Sequence, residues 1–146
     1  MMSKATFQIS GQAEGMKSTL TSGNHTITID EPATMGGTDK GADPLSTLLF
    51  ALAGCENVIA NFVAKELEFD LQGITFKVNG ELDTRGLMGD PNVRPYFEKV
   101  TIHADVETSE SQERIEQLKE ITDQRCPVFT TLKAAGVELE TNWSKN

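Results

Sequence analysis

Two cysteines are the residues whose chemistry could go beyond packing: Cys55, inside LLFALAGCENVIANF, and Cys126, inside RCPV. A thiolate is a nucleophile and a metal ligand, whereas a buried thiol is often only a small hydrophobe. The two stand 71 positions apart, which is neither the CxxC spacing of a redox motif nor the paired spacing of a zinc site. In a reducing compartment a purely structural disulfide is disfavoured, while a transient, catalytic one stays open to them.

Their settings differ. Pro127 suits a first helical turn, which places Cys126 at or near an N-cap. There the free N–H groups and the helix dipole favour a thiolate, and Arg125 adds positive charge. The plainer reading is a small residue that precedes a proline. Cys55 falls deep inside a predicted helix, so no helix end lowers its pKa and apolar burial raises it. Taken alone, Cys55 reads more simply as packing. If it reacts, a cation and an acceptor must reach it from elsewhere. Glu56 is its neighbour and a possible supporting residue, but adjacent helix residues point about a hundred degrees apart, so the plainer reading of Glu56 is a solvated or interface charge. His25 and His103, the only histidines, sit in predicted strands, and their spacing suggests neither a Cys–His hydrolase nor a metal site. Asp39 and Lys40 could border a pocket or serve only as turn residues.

The elements that must hold these thiols read as β-β-β-α-β-β-α-α-β. KATFQIS, MKSTLTS and HTITID alternate apolar with polar residues, and Ser22-Gly23-Asn24 marks a hairpin turn. A loop with glycines at 36, 37 and 41 leads to Asp43-Pro44, an N-cap and first-turn pair that opens a helix running to about Glu66. The first half of that helix is apolar on nearly every side, so it should be buried all round. One sheet covers one side only, so the pattern predicts that a second subunit covers the rest. GITFKVNGEL and EKVTIHADVE alternate as strands, and DTRGLMGDPNVRP between them is long enough to be a functional or mobile loop. SQERIEQLKEITDQ is an amphipathic helix with Ile115, Leu118 and Ile121 on one stripe. PVFTTLKAAG is a second helix, ended by Gly136, and GVELETNW a last strand. Strands in runs separated by helices predict an α+β fold with a largely antiparallel sheet.

The totals fit one domain, residues 1–146. The composition is 38% hydrophobic and 24% charged, with a net charge of −9. No Lys/Arg cluster offers a phosphate footprint, so nucleic acid is not expected as a partner. The longest apolar run, Leu48 to Gly54, is short for a membrane span, and MMSKATFQIS lacks the apolar core of a signal peptide. A cytoplasmic location, with no membrane partner, is the resulting expectation.

GGTDKGADPLSTLLFALAGC resembles the segment leading to the reactive cysteine of the OsmC/Ohr family: a Gly-rich loop, a Pro-started helix, and small residues before the cysteine. RCPV after an amphipathic helix, and RPYFEKVTIHADV as a central strand, are similar to the same family. The resemblance covers almost the whole chain. It implies the OsmC-like fold, an intertwined homodimer with sheets wrapped around two cysteine-bearing helices. It also implies thiol peroxidase chemistry on organic hydroperoxides, with Cys55 peroxidatic, Cys126 resolving, a dithiol or dihydrolipoyl-type reductant, and no metal or organic cofactor. The family's founding peroxidases clamp the thiolate with an arginine from the N-terminal hairpin and a glutamate directly after the helix-starting proline. Here that position is Leu45, and the first arginine in the chain is Arg85. Lys17 is the only cation near the matching stretch, and it lacks the planar fork of arginine. Arg94, Arg85 or Arg125 would have to approach Cys55 from another direction or from the partner. The alternative is a dimeric module of this fold that keeps an apolar interface pocket for a small ligand without peroxidase chemistry.

Overall fold

The computed structural model describes residues 3–146. The chain divides into two compact units, one up to Leu48 and one from Leu49.

The first unit is a three-stranded antiparallel sheet in the order β1(Ser10–Glu14), β2(Lys17–Ser22), β3(His25–Ile29). Its first strand begins later than the alternation in KATFQIS predicts. Ser10 pairs with Thr21, and β2 ends one residue on, where Ser22 pairs with His25 across the Gly23-Asn24 turn. In this register Phe7 has no β2 residue opposite it, and both Phe7 and Ile9 stay exposed. Beyond β3 the glycine-rich loop folds around Asp30, whose side chain is buried. Its carboxylate accepts from the N–H groups of Glu31 (2.8 Å), Thr38 (3.2 Å) and Lys40 (3.1 Å), and from Thr38 Oγ1 (2.5 Å). The loop lies so close to β3 that a Cβ on Gly37 would sit 2.0 Å from the Glu31 carbonyl oxygen, and one on Gly41 2.2 Å from that of Thr28. Only glycine fits either position.

α1(Pro44–Glu66) starts where the sequence predicts, with Asp43 Oδ2 accepting the Ser46 N–H at 2.9 Å. The second unit continues as β4(Gly73–Glu81), the short α2(Thr84–Leu87), β5(Lys99–Glu107), α3(Gln112–Arg125), α4(Pro127–Ala134) and β6(Glu138–Lys145). β4 and β5 pair antiparallel and β5 and β6 parallel, in the order β4-β5-β6. The fold is thus α+β with mainly antiparallel pairing, as predicted. α2 lies within the segment read as a loop, where Asp83 caps it by accepting from Arg85 N–H.

One face of this second sheet carries the core. Ala60, Val63 and Ala64 of α1 pack with Ala104, Val106, Ile115, Leu118 and Trp143, and the Trp143 ring meets Phe76 edge-on at 6.3 Å. Leu52 joins a second cluster with Val100, Ile102, Cys126, Phe129 and Leu132. The predicted all-round burial of α1 is not met within one chain. Leu52, Glu56, Ala60 and Val63 are fully buried, while Phe50, Val58 and Phe62 are at least half exposed. α1 also carries enough length and mean hydropathy, 1.6 over 18 residues, to cross a membrane, a property the short apolar run did not suggest. Its buried stripe packs on the sheet and α3, as that of a core helix does.

Candidate functional site

The site is built where α1 passes the junction of α3 and α4. Cys55, at the midpoint of α1, is half-buried and packs against the cluster that contains Cys126. Cys126 ends α3 and is the N-cap of α4, its sulfur accepting the Phe129 N–H at 3.4 Å. Both thiols are free, and their side chains come within hydrogen-bonding reach of each other. The sequence reading of Cys126 as an N-cap thus holds in the structure, but its electrostatic consequence does not. Cys126 is fully buried. Desolvation pushes its thiol well above the ordinary range, the Phe129 N–H opposes this only in part, and Cys55 and Glu56 push further upward. Arg125, expected to add positive charge, instead pairs with Glu66 at 2.5 Å on the surface.

Glu56 departs most from its reading. It is neither solvated nor at the surface but fully buried, with neither carboxylate oxygen receiving a hydrogen bond from a donor. Asp123 on α3 and the Cys126 thiol are the polar groups that face its carboxyl. Burial, then Asp123, raises its pKa to about 9. Burial also raises that of Asp123, against the pull of Lys119 and Lys133. The hundred-degree turn between residues 55 and 56 is what sends Glu56 inward while leaving Cys55 half-open.

The remaining candidates are engaged elsewhere. Arg94 donates from Nη2 to the Phe97 carbonyl at 2.7 Å and stacks over the Tyr96 ring, 4.7 Å from its centroid. Arg85 forks onto Asp83. Lys17 lies on β2 of the first unit, lining a hollow with Gln12, Glu14 and Thr19. Among the described residues no group of three His, Cys, Asp or Glu side chains converges to hold a metal ion. Sequence reasoning missed Asp123, which reads as one more polar residue of an amphipathic helix. Its usable signal was spacing: it stands three residues before Cys126 and one after the buried Thr122.

The chain is similar to several known proteins. The OsmC-like protein family matches residues 37–142. The protein named hydroperoxide reductase in Mycoplasma pneumoniae is 28% identical over 120 residues, covering 82% of this chain and 81% of that one. Its namesake in Mycoplasma genitalium is 30% identical over 111 residues, covering 76% and 74%. Among solved structures, the OsmC-like protein from Mycoplasma pneumoniae superposes with a TM-score of 0.85 at 24% identity, over 99% of both chains. An organic hydroperoxide resistance protein from Elizabethkingia anophelis gives 0.78 at 20% identity over the whole of both chains.

Proposed function

As the chain belongs to the OsmC-like protein family, we propose that it is a thiol-dependent peroxidase that reduces organic hydroperoxides in defence against oxidative stress. The observation that carries this reading is the meeting of a half-open thiol, Cys55, with a closed one, Cys126. The half-open sulfur is the one a substrate can reach, and the closed one is held where only its neighbour can be attacked. The hydroperoxide reductases of the two Mycoplasma species support the substrate class.

The cycle has three balanced steps. Cys55, as thiolate, attacks the peroxide oxygen, the O–O bond breaks, and the alkoxide takes a proton to leave as alcohol, so that Cys55 becomes a sulfenic acid. Cys126 then attacks that sulfur and expels water, forming a disulfide. A dithiol of dihydrolipoyl type restores both thiols by exchange and is itself oxidised to a disulfide. No metal or organic cofactor enters, and the cycle suits a reducing compartment such as the cytoplasm. We place it in a homodimer, because Phe50, Val58 and Phe62 line the outward side of α1. Sedimentation at the mass of one chain, 15.9 kDa, would remove that part.

One observation favours a second reading, a dimeric module that binds a small apolar ligand without turnover. The arginines named for holding a Cys55 thiolate, Arg85, Arg94 and Arg125, are bound to other groups. One equivalent of cumene hydroperoxide decides between them, followed by intact mass and a count of free thiols. Peroxidase chemistry gives loss of both thiols with a mass change of about −2 Da, abolished in Cys55→Ser. Two thiols untouched by the peroxide leave the binding module.

A further inference from the structure

Glu56 presents two buried oxygens with no donor, and Asp123 Oδ1, also buried, has none either. Two ionised carboxylates are disfavoured in such a place, because their charges repel and no donor offsets the desolvation of Glu56. A single proton between them satisfies an oxygen on each. The rest of the surroundings completes the case. Cys126 is fully buried, and its sulfur already accepts from the Phe129 N–H. Its own S–H is left facing the Glu56 carboxyl. Asp123, which also faces Glu56, is only partly buried, accepts from Thr141 Oγ1 at 3.3 Å, and feels Lys119 and Lys133.

We propose that the Glu56–Asp123 carboxyl pair is the proton relay of the resolving step, taking the S–H proton of Cys126 and returning one to the group that leaves Cys55. This inference rests on the reading of Cys126 as the resolving thiol. In the step the Cys126 sulfur forms its bond to Cys55 and the Cys55 S–O bond breaks. The proton given up by Cys126 enters the pair, and one from the pair completes the departing water. The pair ends with the single proton it began with, so no net charge is created in the core. Glu56 is the catalytic group, since it touches the reacting thiol, and Asp123 positions the proton. A relay whose charge stays constant also explains how a thiol raised by burial can react without a cation beside it.

The test separates this relay from the peroxidase reading by using no peroxide. An aromatic disulfide reagent with a coloured leaving thiolate labels the reduced protein at Cys55, releasing one coloured equivalent. Attack of Cys126 on that mixed disulfide releases the second, and its proton passes through the pair to solvent. The relay predicts that Glu56→Gln slows the second release at neutral pH by about a hundredfold, the scale of a lost general base. Asp123→Asn slows it in the same direction. In both variants the rate then climbs steadily with pH, as the Cys126 thiol must ionise by itself. In the unaltered protein the second release is slower in heavy water than in light, a readout that does not depend on how the variants fold. Equal second-release rates and pH profiles in all three proteins, or no effect of heavy water, would overturn the relay and leave the thiol pair standing. No second release from the unaltered protein would overturn Cys126 as the resolving thiol, and the relay with it.

Discussion

Asp30 and Glu56 are both buried carboxyls, and they behave in opposite ways. Asp30 is ringed by donors from its own loop, and the Thr38 hydroxyl first, with the backbone N–H groups, holds its pKa down to about 2. Glu56 meets another carboxyl and two thiols, and burial raises its pKa to about 9. Burial alone therefore decides little. What faces the carboxyl determines whether it is a fixed charge that organises a loop or a proton held for use.

Removing the donors' partner should be the more damaging change. Asp30→Leu leaves the N–H groups of Glu31, Thr38 and Lys40 without an acceptor, and an unmet buried donor costs more than a made bond returns. We expect it to give the largest fall in thermal midpoint of the substitutions discussed, with fast amide exchange confined at first to residues 30–43. The milder Asp30→Asn should abolish an acid-side loss. With a folded pKa of about 2 against 3.8 unfolded, the Asp30 contribution is complete above pH 3.8 and disappears as pH falls to 2. Slow exchange over 30–43 in Asp30→Leu would remove the distinction between the two carboxyls.

Glu56→Met should do the reverse, because no donor is left unpaired when the carboxyl goes. Replacing a buried ionisable group that lacks donors by an apolar side chain stabilises by about 1–4 kcal/mol, and here it should do so while removing the relay. The gain depends on pH. The folded pKa, about 9, lies above the unfolded 4.5, so the folded protein keeps a proton that the unfolded chain releases. This contribution is full below pH 4.5 and is lost as pH rises to 9. The urea midpoint of Glu56→Met should exceed that of the parent by more at pH 8 than at pH 5. A lower midpoint at pH 8 would mean that Glu56 is paired after all.

Much of this was legible in local pattern. Asp43-Pro44 and Cys126-Pro127 both mark helix starts by a cap and a fixed φ, and both starts are where the sequence puts them. The family resemblance rested on those same stretches. What stayed illegible depended on partners distant in sequence. The alternation of Phe7 and Ile9 promised a strand, but β2 ends at Ser22, short of a partner for Phe7. Glu56 read as solvated, although it shares a stripe at i, i+4 spacing with Leu52 and Ala60, both fully buried. Its charge outweighed its position in the reading. Asp123 could be placed beside it only once α1 and α3 were seen to pack together.

The smallest effect should come from the charge that the sequence offered to Cys126. Arg125 pairs with Glu66 across an open surface, both side chains about half exposed. Such a pair contributes about 0.5 kcal/mol. Arg125→Ala should therefore shift the urea midpoint barely beyond error and leave the second release of coloured thiolate, with its pH profile, as in the parent. A guanidinium that set the state of Cys126 would instead raise the pH at which the thiol reacts when removed. Finding that shift would restore Arg125 to the site and make the thiol, rather than the carboxyl pair, the place where the proton is controlled.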